Sequence, residues 1–137
     1  MAKKRRRSDE VGPIILRLPY PPSVNRYWRR LGNRTILSRA AREFRSRVKD
    51  LWYVQKWVYR RESLGSALVQ VSLMIHPPDN RRRDLDNVLK AVLDAIEAAG
   101  IIEDDSQVRR LELAFGDCVD GGSVTITIGP IRCDTQC

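Results

Sequence analysis

His76–Asp105 reads HPPDNRRRDLDNVLKAVLDAIEAAGIIEDD, and how this stretch folds decides how the rest of the chain is arranged. At about 100° per residue, Leu85, Val88, Leu89, Val92 and Ile96 fall on one apolar stripe, with Asp86, Lys90, Asp94 and Glu97 on the opposite side. The spacing therefore predicts an amphipathic helix with one face on a core. Gly100 supplies the stop, because glycine takes the left-handed conformation that lets a chain leave a helix. Asp84 stands where an N-cap belongs and Asp86 in the first turn, with Lys90 one turn further along the same face.

Each of these side chains has a plain structural use: Asp84 as a cap, Asp86 against the helix dipole, Asp86 with Lys90 as an exposed i, i+4 pair. Their company argues for more. Arg81, Arg82 and Arg83 precede the carboxylates, and Glu103, Asp104 and Asp105 follow one helix later. Clustered carboxylates repel one another and call for a counter-charge, for which a divalent cation is the obvious candidate. Magnesium takes carboxylate, water and phosphate oxygens, and in phosphodiester hydrolysis it activates water and stabilises in-line displacement. The three arginines suit the phosphate side of such a reaction.

The run Arg81-Arg82-Arg83-Asp84-Leu85-Asp86-Asn87-Val88-Leu89-Lys90, followed by Asp94-Ala95, Gly100 and Asp104-Asp105-Ser106-Gln107-Val108, resembles the RusA family of Holliday-junction resolvases. Pro21-Pro22-Ser23-Val24-Asn25-Arg26-Tyr27 is similar to the opening PPSxNRY segment of that family. With the intervening strands, the resemblance spans residues 14 to 128. It implies a dimeric, magnesium-dependent endonuclease that cuts four-way DNA junctions by paired nicks, with manganese as an alternative ion. By matching position it also implies Asp84, Asp86 and Asp105 as metal-site residues and Lys90 as a catalytic lysine. Periodicity alone does not separate Asp105 from Asp104.

Composition agrees with a polyanionic partner. Among 137 residues, 25 Lys and Arg outnumber 17 Asp and Glu, for a net charge of +8. The first ten residues carry five positive and two negative side chains, so the body retains +5. The length fits one domain able to bury a core without disulfides. No apolar run reaches the roughly 20 residues of a membrane span, and no secretory signal opens the chain, so a cytoplasmic protein is expected. Cys118, Cys133 and Cys137, with His76 as the lone histidine and no CxxC, do not read as a zinc site.

Residues 1–12 read as a disordered basic arm, either phosphate-binding or merely solubilising, 13–129 as the endonuclease domain and 130–137 as a loose tail. Ile14–Leu18 is an expected strand, followed by a loop in which Asn25, Arg26, Tyr27, Trp28, Arg29, Arg30 and Arg34 mix charge with aromatic rings, either suited to backbone phosphates and unstacked bases or folding its rings back on the core. Ser38 caps an expected helix running to about Arg61, whose rings Trp52, Tyr53, Trp57 and Tyr59 are assigned to packing, some at a subunit contact. Alternating Val69, Val71, Leu73 and Ile75 predict a half-buried strand. Ile101 and Ile102 are expected to anchor the turn after the active helix, and Val108–Phe115 and Ser123–Ile128 to form an antiparallel hairpin.

The expected fold is α+β: a single domain with a mixed sheet of about four strands and two main helices packed on it. Asn25, Arg26, Tyr27, Arg29, Arg30, Arg34, Arg81, Arg82 and Arg83 form the expected DNA contacts. The competing readings are a nuclease for other branched nucleic acids and a noncatalytic basic DNA-binding protein.

Overall fold

The computed structural model describes residues 12–131. All but the last residue of the expected basic arm, and Cys133 and Cys137 in the tail, lie outside the described residues. Nine regular elements and a short turn follow in order: β1 (Ile14–Pro19), α1 (Val24–Tyr27), β2 (Trp28–Leu31), β3 (Arg34–Leu37), α2 (Arg39–Trp57), β4 (Val69–His76), α3 (Asp86–Ala98), a 3₁₀ turn (Asp105–Gln107), β5 (Val108–Phe115) and β6 (Ser123–Pro130). The architecture is the α+β arrangement expected, a mixed four-stranded sheet with two main helices, and β2–β3 adds a separate two-stranded ribbon.

The sheet order is β1-β6-β4-β5, antiparallel except for the parallel pair β4–β5. The expected β5–β6 hairpin is therefore wrong. Val69, Val71, Leu73 and Ile75 of β4 and Val124, Ile126 and Ile128 of β6 are all buried, so these two strands occupy the centre. Arg109, Arg110 and Glu112 make β5 too polar for that position, and it takes the edge, where its outer face meets water. The sequence β4–α3–β5 is consequently a crossover: α3 must run back along the sheet before β5 can start beside the start of β4.

Val88, Ala91, Val92, Ala95 and Ile96 of α3, with Ala41, Phe44, Val48 and Trp52 of α2, bury against the apolar rows of β1, β6 and β4. Ser38 caps α2 as expected, its hydroxyl accepting from the Ala41 amide at 3.1 Å. The helix closes at Trp57 instead of Arg61, because Arg60 adopts a left-handed φ of 53° and the Arg61 amide donates back to the Gln55 carbonyl at 3.1 Å. Of the four rings assigned to packing, Trp52 is buried, whereas Tyr53, Trp57 and Tyr59 are exposed. At the end of α3, Gly100 stops the helix with φ 83°, and Ile101 and Ile102 are buried as anchors.

Candidate active site

Asp84 is not the N-cap expected from sequence. Leu85 occupies the cap position with helical φ and ψ of −58° and −36° and no side-chain cap, while the Asp84 backbone carbonyl accepts from the Asn87 amide at 3.2 Å. Because the backbone turns into the helix without help from its carboxyl, Asp84 is left exposed, as are Asp86 and, one turn on, Lys90. These three side chains thus gather at the start of α3.

The approach to them is braced. Asp79 accepts from the Arg81 amide at 2.9 Å and pairs with Arg83 at 2.7 Å, and Arg83 also donates to the Asp79 carbonyl at 3.0 Å. The Arg83 and Arg81 contacts hold the Asp79 carboxyl down at about 2. The Arg83 guanidinium lies 5.9 Å from the centre of the Tyr20 ring, joining this loop to the segment after β1. No hydrogen bond or ion pair occupies Arg82 among the described residues, and it is exposed.

The segment read as a basic loop is instead a short helix and a ribbon. Gly32, with φ 59°, makes the two-residue turn between β2 and β3, so that Arg29, Arg30 and Arg34 are all exposed on a defined strand pair. Asn25 and Arg26 are exposed on α1. Tyr27, expected among the DNA contacts, is only 2 % exposed and belongs to the core, which corrects that assignment. Its hydroxyl donates to Asp94 Oδ2, and Arg45 donates to the same carboxylate twice, at 2.6 and 2.8 Å. Burial, with the Glu97 charge beside it, pushes the Asp94 carboxyl above the usual range, and the two donors compensate its desolvation. The Ser38 amide donates to the Tyr27 carbonyl at 2.9 Å, closing the base of the ribbon. Lys90 then shares a shallow cleft with Val24, Tyr27 and Trp28, so the ribbon is set beside the start of α3.

Asp94 and Arg45 escaped the sequence reading as site residues. The available signals were the place of Asp94-Ala95 in the run that resembles the family and its position on the Lys90 face four residues further on, the latter alone reading as an exposed polar stripe.

Asp105 is elsewhere. The segment 101–107 is tied to the chain that precedes β4: the Leu64 amide donates to the Ile101 carbonyl at 2.9 Å, and the Gln107 side-chain Nε2 donates to the Gly65 and Ala67 carbonyls at 2.6 and 2.8 Å. Val108 then pairs with Val69, the first residue of β4. Asp84 and Asp86 follow the far end of that strand. Thirteen residues of α3 separate the two ends, about 20 Å at 1.5 Å per residue. Among the described residues no three His, Cys, Asp or Glu side chains are grouped to hold a metal ion. A single protomer therefore does not fit the expected three-carboxylate magnesium site, because a parallel crossover must put the start of its helix and the start of its second strand at opposite ends. The structure does separate the neighbours at that far end. Both are exposed, but Asp104 is committed to capping the 3₁₀ turn, accepting from the Ser106 amide at 2.7 Å, which with the Asp105 side chain holds its carboxyl below the usual range, whereas Asp105 caps nothing among the described residues.

The fold and site define a class by their chemistry, an α+β domain with exposed arginines on a ribbon beside Lys90 and on the loop leading into Asp84 and Asp86, side chains of the kind that meet phosphodiester backbones. The chain matches the family model described as endodeoxyribonuclease RusA over residues 19–129, and it belongs to that family. It is 37% identical to the crossover junction endodeoxyribonuclease rusA of Enterobacteria phage HK97 over 111 residues, 81% of this chain and 89% of that protein. The same identity and coverage, over 112 residues, relate it to the crossover junction endodeoxyribonuclease RusA of Escherichia coli (strain K12). Among the described residues no helix is long and apolar enough to cross a membrane.

Proposed function

We propose that this chain is a magnesium-dependent endodeoxyribonuclease that resolves four-way DNA junctions in recombination and repair, acting in the cytoplasm as a twofold dimer. The observation that carries the reading is Lys90 sharing a cleft with Trp28 of the basic ribbon, one turn beyond the exposed Asp86 and after the arginine loop that leads into Asp84. The relatives' names supply the reaction and the substrate.

Arg29, Arg30 and Arg34, with Arg26 and Arg82, hold backbone phosphates, and Arg81 and Arg83 line the approach. Lys90 offers a positive charge to a phosphate oxygen at the scissile position. Asp84 and Asp86 supply two carboxylates, and Asp105 sits at the other end of its own protomer. A twofold axis running across α3 reverses one protomer on the other and sets the partner's Asp105 against Asp84 and Asp86. Magnesium bound by such a composite set would activate water and stabilise charge in the displacement. The dimer also provides two sites of opposite orientation, the requirement for paired nicks in opposed strands.

The test is cleavage of labelled four-way junction, fork and linear duplex with Mg²⁺ and with chelator. Wild type is expected to nick the junction symmetrically in Mg²⁺ only. Asp86→Asn is expected to bind the junction normally and to lose cleavage on the order of a hundredfold or more. An intact junction after incubation of wild type with Mg²⁺ or Mn²⁺ would return the chain to a noncatalytic DNA-binding role.

A further inference from the structure

The carboxyl ends of the parallel strands β4 and β5 enclose a crevice of about 310 Å³ lined by Pro77, Arg81, Arg82, Arg83, Phe115 and Cys118. In open sheets containing parallel strands, ligands settle outside such ends. The walls are fixed by hydrogen bonds of their own. Gly116 donates to the Ile75 carbonyl at 2.8 Å, Val119 to the Pro77 carbonyl at 3.0 Å, and the Cys118 thiol to Asn80 Oδ1 at 2.9 Å. Gly116 is required for this closure, since a Cβ there would stand 2.5 Å from the His76 ring. Asp79 immobilises Arg83 on one side.

Two groups in this braced crevice remain uncommitted. Phe115 ends β5 and is 44 % exposed, and its pairing with Ile75 puts it on the sheet face that carries α3, the side of Asp84 and Asp86. Arg82 is the arginine of the loop without a protein partner among the described residues. A flat apolar face beside an unpaired guanidinium matches one ligand class, a nucleotide whose base has left the stack. The volume lies at the lower limit for small-molecule sites and suits a single such unit.

We propose that this crevice receives one unstacked nucleotide of the DNA at the point of strand exchange, Phe115 taking the base face and Arg82 the phosphate. The proposal rests on the junction-resolving function and gives it a selectivity device: a branch point presents unstacked bases more cheaply than a continuous duplex does.

The experiment measures binding of the full-length protein to a four-way junction with chelator present, so that no cleavage is needed, using 2-aminopurine at the crossover to report unstacking. Phe115→Leu keeps apolar volume without a ring, and Phe115→Trp keeps a ring; thermal midpoints establish that both fold. Phe115→Leu is expected to weaken junction binding about tenfold and to abolish the 2-aminopurine brightening, while Phe115→Trp retains wild-type affinity. Arg82→Ala is expected to reduce the log–log salt slope by about 0.9. A Phe115→Leu protein that binds and brightens the junction as wild type does would overturn the pocket. Wild type that binds and brightens the junction but never cleaves it in Mg²⁺ supports the pocket and contradicts the nuclease reading instead.

Discussion

Asp79 organises the loop before α3 more than its place in a polar run suggests. Its carboxylate receives the Arg81 amide and the Arg83 guanidinium, and these contacts lower its proton affinity to about 2 from an ordinary value near 3.8. A depressed folded-state value contributes stability that is present above 3.8 and disappears as the pH falls through about 2. The arginine loop should keep its shape through mild acid, and a carboxyl-carbon NMR titration of Asp79 is expected to show a midpoint near 2. A midpoint at the ordinary aspartate value would mean that Arg83 is not held. Asp84 illustrates the opposite case: the sequence places it where a cap belongs, yet Leu85 already has helical dihedrals and the carboxyl is not consumed. Which carboxylates were free for chemistry depended on local backbone angles, and residue type does not record those.

Elements meet at Asp94. Tyr27 of α1 and Arg45 of α2 both donate to this carboxylate of α3, so three helices are pinned at one point, and the ribbon β2–β3 leaves directly from Tyr27. Tyr27→Phe keeps the ring in the core and removes one hydrogen bond to a charged acceptor, which is expected to cost about 2 kcal/mol in urea denaturation. The same variant is expected to weaken junction binding, because the ribbon arginines lose their fixed position beside Lys90; unchanged stability and unchanged binding would show that Tyr27 does not position the ribbon. Helix positions were legible in the sequence because apolar periodicity is a local property: α3, its Gly100 stop, the Ser38 cap and strands β1, β4, β5 and β6 all lie close to their expected spans. Strand partnership was not legible in the same way. β5 and β6 are neighbours in sequence across Asp120-Gly121-Gly122, yet β6 enters the middle of the sheet and β5 pairs with β4. The polar pattern of Arg109, Arg110 and Glu112 was the available sign of an edge strand.

At the scale of the molecule, the parallel crossover divides the expected site. Asp84, Asp86 and Lys90 were legible together because one helix start holds them, whereas the distance to Asp105 is fixed by the direction of β5 relative to β4. The exposed rings Tyr53, Trp57 and Tyr59 near the end of α2 are consistent with a protein that does not act as an isolated protomer. Subunit mixing tests the composite site most directly. Asp86→Asn and Asp105→Asn proteins, each expected to be inactive alone, are unfolded together, refolded and incubated with labelled junction in Mg²⁺. If the partner's Asp105 completes the site, each mixed dimer contains one wholly wild-type site and one doubly damaged site, and single nicks are expected to appear. A mixture as inert as its two components, beside a refolded wild type that cleaves, would contradict the shared site, as would an Asp105→Asn protein that cleaves unaided.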